Sequence, residues 1–370
     1  MVLGAPVGTL SDVTDVTDVA GYRIDRVEAS LLPETEQEAI ARLLQALGHE
    51  MTPENPERPL PAILARMRAK PQNEWSVRFR ARDAAGNVVG NLSASRSLNE
   101  PDNAHLIWTE LAVHPDHRRK GLGRTLLREL TLAAEGQHDS PLLMGMSNDR
   151  VPAGEAFLRA MKADPGLPMK TSQLDLNSVD RGLVATWAKL DPAGYRLERI
   201  DNVVPEHLLA AYIASANGMN DAPKGGLKMA DWKLTEEQVR DREDWLKQVG
   251  VEWWLLVAVH DATGQGAGFT EVTYDPKQGY IIWQQGTAVV DPHRGHKLGL
   301  WMKAVMLDRI LRERPDAKLI RTGNANTNAQ MLGINTQLGF RQAWASTIWQ
   351  LPLADARTTA GRAEATAASR

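Results

Sequence analysis

The stretch Leu111-Ala112-Val113-His114-Pro115-Asp116-His117-Arg118-Arg119-Lys120-Gly121-Leu122-Gly123-Arg124 decides how the chain is read. Leu111 to Val113 are the apolar end of a short strand, and Pro115 stops it. A basic loop with two glycines follows. From about Thr125 the apolar residues Leu126, Leu127, Leu130 and Ala133/Ala134 return at helical spacing and share one face. A strand, a loop with spare backbone N–H groups and a helix start make an anion cradle, because unpaired donors and the positive helix end converge on one spot. Gly121 and Gly123 keep that spot free of a Cβ atom.

The stretch has a second copy: Thr287-Ala288-Val289-Val290-Asp291-Pro292-His293-Arg294-Gly295-His296-Lys297-Leu298-Gly299-Leu300. Ala288-Val289 repeats Ala112-Val113, Arg294 repeats Arg118, and Gly299 repeats Gly123. Lys297 stands where the first copy has Gly121. Three more pairs follow the same order at a nearly constant separation. Gly21-Tyr-Arg-Ile-Asp-Arg-Val-Glu28 matches Gly194-Tyr-Arg-Leu-Glu-Arg-Ile-Asp201, an opening strand. Asp83-Ala-Ala-Gly86 matches Asp261-Ala-Thr-Gly264, a hairpin turn, and Ser172-Gln-Leu-Asp-Leu176 matches Ser346-Thr-Ile-Trp-Gln-Leu351, a closing strand. Collinear matches over both halves mean an internal duplication.

Each half reads as an opening strand, early helices, a hairpin, a strand, the cradle, a helix, a strand, a helix and a closing strand. The early helices are predicted at Glu34–Leu47, Leu60–Ala69, Pro205–Ala216 and Thr235–Val249, the last with a capping box from Thr235 and Gln238. This order gives an α/β protein with a mixed sheet and helices on both faces. The expected units are a flexible leader over 1–18, domains over 19–180 and 181–352, and a disordered tail over 353–370. Val179–Asp191 is the expected connection.

The motif Arg118-x-x-Gly121-x-Gly123 resembles the pyrophosphate loop of the GCN5-related N-acetyltransferases, the GNAT family. The resemblance covers both halves and implies tandem domains binding acetyl-CoA at Leu111–Val113 with Arg118–Arg124, and at Thr287–Val289 with Arg294–Leu300. It implies a bulge in the strand before each loop, whose N–H polarises the thioester carbonyl as in an oxyanion hole. Asn328, seven residues before Asn335, matches an asparagine directed at the pantetheine arm. The Met219-Asn220-Asp221-Ala222-Pro223 segment, with the Arg294 loop and the Asn324–Asn328 block, is similar to tandem acetyltransferases loosely related to mycothiol synthase. There that segment covers the acceptor pocket.

The family's acid and base positions are changed. A glutamate is common four residues before the first bulge residue, and these positions hold Ile107 and Trp283. Glu110 is out of phase and should face away. Glu271, on the neighbouring strand, is a candidate base, or else a solvent-facing carboxylate. Asp221 is a candidate for binding the acceptor ammonium or acting as a distant base, or else an Asx turn before Pro223. Trp283 and Asn220 are the remaining candidates for the acceptor pocket. A tyrosine acid is common four residues before a Gly-Phe pair; before Gly339-Phe340 that position is Asn335, and the first-half equivalent is Leu158.

Composition bounds the rest. The 370 residues are 43% hydrophobic and 24% charged, with a formal net charge of -3, which fits a soluble globular protein without a broad nucleic-acid surface. There are no cysteines, which removes disulfides and thiolate chemistry and is compatible with the cytoplasm. No metal-ligand spacing, signal peptide or membrane span is expected. The expected activity is acetyl transfer from acetyl-CoA to a primary amine of a small molecule, by a monomer or homodimer. The alternatives are an acyl-CoA-binding module without turnover and aminoacyl transfer from tRNA.

Overall fold

The computed structural model describes residues 13–19 and 21–367. The first copy runs β1 (Val13–Val19), β2 (Tyr22–Val27), α1 (Glu34–Met51), α2 (Leu60–Arg68), β3 (Glu74–Arg82), β4 (Val88–Ser97), β5 (Leu106–Val113), α3 (Leu122–Ala133), β6 (Leu142–Asn148), α4 (Pro152–Ala160) and β7 (Asp164–Asp175). Helix α5 (Arg181–Ala188) connects the copies. The second copy runs β8 (Tyr195–Asp201), α6 (Glu206–Asn217), α7 (Glu236–Val249), β9 (Glu252–His260), β10 (Gly266–Tyr274), β11 (Ile281–Val289), α8 (Leu298–Glu313), β12 (Leu319–Ala325), α9 (Ala329–Gln337), β13 (Arg341–Pro352) and α10 (Leu353–Ala367). The capping box at Thr235 and Gln238 forms as expected.

The strands make one mixed sheet, ordered β1-β2-β3-β4-β5-β6-β13-β7-β12-β11-β10-β9-β8. The copies therefore exchange their closing strands. β13 pairs antiparallel with β6 of the first copy, and β7 pairs antiparallel with β12 of the second. The two exchanged strands pair with each other at the centre. The boundary expected at 180/181 thus divides the chain but not the sheet. Apolar burial follows the exchange: Trp349 and Leu351 lie in the first copy's core, and Leu174 lies in the second's.

The helix after each exchanged strand travels with it. α5 packs on α8, with Val184 buried, and α10 packs on α3, with Ala356 and Ala360 buried. Two expectations are corrected here. Residues 353–367 of the supposed tail form α10, because an apolar stripe of small residues fits against α3. Residues 13–18 of the supposed leader belong to β1, which pairs antiparallel with β2. Residues 1–12 of the leader lie outside the described residues, as do 368–370 of the tail.

Trp349 tests the exchange. Its indole is 1% exposed and donates from Nε1 to Ser147 Oγ at 2.8 Å. Trp349→Ala should cost about 3–5 kcal/mol in denaturant unfolding. Hydrogen exchange should show the loss of protection in β6, although the substitution lies in the other copy's sequence.

Candidate active site

Each copy has a cleft where two parallel strands stop pairing. β11 and β12 pair only over Ile281–Trp283 and Leu319–Arg321, and β5 and β6 only over Leu106–Trp108 and Leu142–Met144. Beyond those residues the strands part, and their edge N–H and C=O groups face a gap. The second gap has a volume of about 750 Å³ and is walled by β11, the loop before α8, β12 and α9. The first, about 520 Å³, is lined mainly by apolar groups such as Leu127, Phe157 and Trp349.

The two loops have the same shape from different residues. Each needs two left-handed backbone positions: Arg119 and Gly121 (φ 64° and 85°) in the first, Gly295 and Lys297 (φ 85° and 62°) in the second. Lys297 therefore keeps the turn although it replaces a glycine. Each loop ends at a helix start whose first N–H groups have no intrahelical partner. The arginines are anchors. Arg118 donates from Nε to Val113 O and, through both terminal nitrogens, to the Glu50 carboxylate at 2.7 and 2.6 Å. Arg294 donates to Val289 O, Asp291 and Asp221, the last at 2.6 Å. In both copies a tyrosine hydroxyl (Tyr22, Tyr195) holds a loop histidine (His117, His293) at 3.0 Å. Burial, then the neighbouring His260 and His296, keep the His293 imidazole below its ordinary pKa.

The copies differ in the strand before the loop. β11 has nine residues where β5 has eight. Its register against β10 slips between Thr270/Thr287 and Val272/Gln284, which places a bulge at Gln285-Gly286. β5 runs against β4 without a slip, so the bulge expected at Leu111–Val113 is absent from the first copy. Gly286 is required by space: a Cβ there would lie 2.7 Å from the Phe269 ring. Gln284 locks the bulge, donating to Glu271 O at 2.7 Å and to the Thr270 hydroxyl at 3.1 Å.

Glu271 lies beneath this bulge rather than in the cleft. Its buried carboxylate accepts from Trp253 Nε1 at 2.8 Å, pairs with Arg242 at 3.1 Å, and lies 3.4 Å from the Gly286 N–H. A carboxylate held by these donors supports the bulge. The pairing with Arg242 also corrects the alternative of a solvent-facing group.

The other expected residues divide. Trp283 and Asp221 line the second cleft. The half-exposed Asp221 carboxylate pairs with Arg294 at 2.6 Å. Asn220 turns away: its amide exchanges two hydrogen bonds with the Trp232 backbone, at 2.6 and 2.8 Å, and pins the covering segment. Asn328 caps α9 by accepting from Met331 N–H, on the cleft wall. Ile107 is fully buried and Glu110 exposed. Asn335 is buried, donates to Asn324 Oδ1 at 2.9 Å and leaves its own Oδ1 without a partner.

Lys303 was not anticipated. It is 3% exposed on α8, lines the second cleft, and burial pushes its pKa down to about 7. The signal was present in the sequence, since a lysine interrupts the apolar face of α8 where the first copy has Leu127. Glu50, Gln284 and Arg242 were missed for lack of any local signature.

Residues 76–158, about half of the first copy, match the acetyltransferase (GNAT) domain family. A tandem GNAT protein from the clavulanic acid biosynthesis pathway is 25% identical, with 90% of this chain and 98% of that chain covered at a TM-score of 0.72. The chain has the fold of a tandem GNAT protein. A GCN5-related N-acetyltransferase of Sphaerobacter thermophilus, 15% identical, shares the fold over 91% of this chain and 97% of its own, at a TM-score of 0.61. Mycothiol acetyltransferase of Stackebrandtia nassauensis is 28% identical over 202 residues, 51% of this chain. The match spans about half of that relative's length, 54%. The family match thus falls on the first GNAT copy, whereas the bulge lies in the second.

Two measurements test this geometry. Arg242→Met leaves Glu271 buried and unpaired and should cost about 3–5 kcal/mol in urea unfolding, with much of the loss restored by Glu271→Gln in the same chain. Lys303→Met should stabilise the protein. The folded-state pKa of Lys303 lies below its ordinary value of 10.5, so across that window the unfolded chain holds the proton and wild-type stability rises with pH. The advantage of Lys303→Met should therefore be larger at about pH 6 than at about pH 9.

Proposed function

We propose that the protein transfers an acetyl group from acetyl-CoA to a primary amine of a small molecule, and that transfer takes place in the second cleft. The observation that carries this reading is the bulge at Gln285-Gly286, set in a strand that has left its neighbour and runs into a loop opening a helix. An edge strand with a bulge presents backbone donors to a carbonyl, and a fixed donor is worth most where negative charge grows. The loop and the first turn of α8 offer the diphosphate its backbone N–H groups. Asn328 and Asn324, on the opposite wall, suit an amide-bearing arm. The coenzyme brings the activated acyl group; the chain supplies orientation and charge stabilisation.

The acceptor enters beside Trp283, which is 37% exposed at the cleft. Its amine must be neutral to attack. With Glu271 and Asp221 both engaged by arginines, water in the open cleft is the path for its proton. The first cleft keeps the loop but lacks the bulge, and we read it as a non-catalytic partner.

Calorimetric titration with acetyl-CoA, followed by a thiol-release assay over a panel of small amines, tests the function. Gly299 sits at the start of α8 with ordinary clearance to Val289 and Ile334, so a glutamate there places charge in the cradle without rebuilding the core. Gly299→Glu should abolish transfer, and Gly123→Glu should leave at least a measurable fraction. Equal loss, or greater loss from Gly123→Glu, overturns the choice of the second cleft.

A further inference from the structure

The second cleft contains a charge that the fold does not need. Lys303 lies one helical turn after Gly299 on the face of α8 that closes the cleft. Among the described residues its ammonium has no hydrogen bond and no ion pair. Its one recorded contact is the Phe340 ring, 5.7 Å from Nζ. Of the other buried cations of this half, Arg309 has Asp201 and Glu313 and Arg242 has Glu271, whereas Arg321 has the neutral Gln173 amide and the Trp344 ring. At the duplicate position Leu127 fits the same kind of wall. A buried unpaired ammonium costs stability, so its presence points to a partner that arrives with the substrate.

The place of Lys303 identifies that partner. Phe340 N–H donates to Asn335 O at 3.0 Å, so the lysine faces the turn where the family resemblance implies an acid. Asn335 cannot fill that role, because an amide is not an acid and its NH₂ is already held by Asn324. Resting on the acyl-CoA reading above, we propose that Lys303 is the catalytic acid that protonates the departing thiolate of the coenzyme. The acceptor nitrogen forms a bond to the carbonyl carbon, and the carbon–sulfur bond breaks with its electron pair on sulfur. The Lys303 ammonium gives that sulfur its proton and is left as a neutral amine. The acceptor's surplus proton goes to water, and water recharges the lysine. The products are an amide and a thiol, with no change of oxidation state.

The chemistry suits the residue. Burial alone weakens the basicity of Lys303, and no charged side chain from α5, β9, β10, β11, α9 or β13 is paired with it. Its ammonium therefore gives up a proton more readily than that of an exposed lysine.

The test needs no acceptor. Free CoA is bound to the full chain, and its thiolate is followed by ultraviolet absorbance during a pH titration of wild type, Lys303→Met and Lys303→Leu. The difference between wild type and variants isolates the second cleft. In wild type the bound thiol should ionise at least tenfold more readily than in either variant, with CoA affinity changed less than about threefold. Thermal unfolding confirms that the variants are folded. With an amine found in the panel above, Lys303→Met should lower kcat at least tenfold, leave KM for acetyl-CoA nearly unchanged and remove the limb near neutral pH. Identical thiol titrations in wild type and variants overturn the proposal even if CoA binds. Failure of CoA to bind wild type refutes the coenzyme reading itself.

Discussion

The antiparallel pairing of β7 with β13 is the constraint on which the rest of the structure depends. Over Gln173–Asp164 and Arg341–Gln350 these two strands join sheets that neither copy completes alone. Without β13, β6 would present an open edge and the first core would lose Trp349 and Leu351. Without β7, the second core would lose Leu174 and Leu176. Each closing strand reaches its place only after a long separation in sequence, so the chain-closure cost is met once, by both copies together. The copies are therefore one cooperative body, which explains how a first copy without the bulge remains necessary to the second.

That dependence extends to the cleft. Asp221, Ala222 and Pro223 line the second cleft, and the chain that follows them is fastened to the first copy and to the exchanged strands. Gly226 N–H donates to Gly166 O at 2.8 Å, Lys228 N–H to Gln350 Oε1 at 3.0 Å, and Ala230 N–H to Asn103 Oδ1 at 2.8 Å. Gly225, at φ 58°, approaches so closely that a Cβ would lie 2.6 Å from Gly166 O. A cover tied at both ends has less freedom to lose when a ligand is bound beneath it. Duplication here supplies a fixed wall as well as a second copy of the site.

Much of this was legible in the sequence, and what was not has a physical reason. The early helices were visible because amphipathic spacing is local: Glu34–Leu47 was expected and Glu34–Met51 formed. The loops were visible because a turn with left-handed residues next to a helix start constrains few residues strongly. Strand exchange was invisible, since β7 and β13 carry the same apolar alternation whichever sheet receives them. The bulge left only a one-residue difference between β11 and β5. Burial of Glu271 depended on Arg242, which lies in a different element and approaches only in the folded chain. Asp221 was placed correctly at the cleft, but its partner Arg294 was read only as part of the loop.

The electrostatics of the two loops follow from the same pairings. A basic loop suggests that arginine charge attracts the phosphates. Yet Arg118 is held by both oxygens of Glu50, and Arg294 divides its donors between Asp221 and Asp291. Each conserves its loop shape by reaching back to the strand carbonyl of Val113 or Val289. The charge of these two arginines is largely cancelled at the distance of a ligand, which leaves the N–H groups at a helix start, oriented by left-handed turns, beside the side chains of Arg119 in one cleft and Lys297 in the other. Backbone dipoles fixed in place are weakened less by salt than exposed side-chain charges, whose attraction fades over a Debye length of about 8 Å at physiological ionic strength. The arginines act by holding the shape that presents those dipoles, which is why Lys297 can replace a glycine as long as the turn keeps its φ.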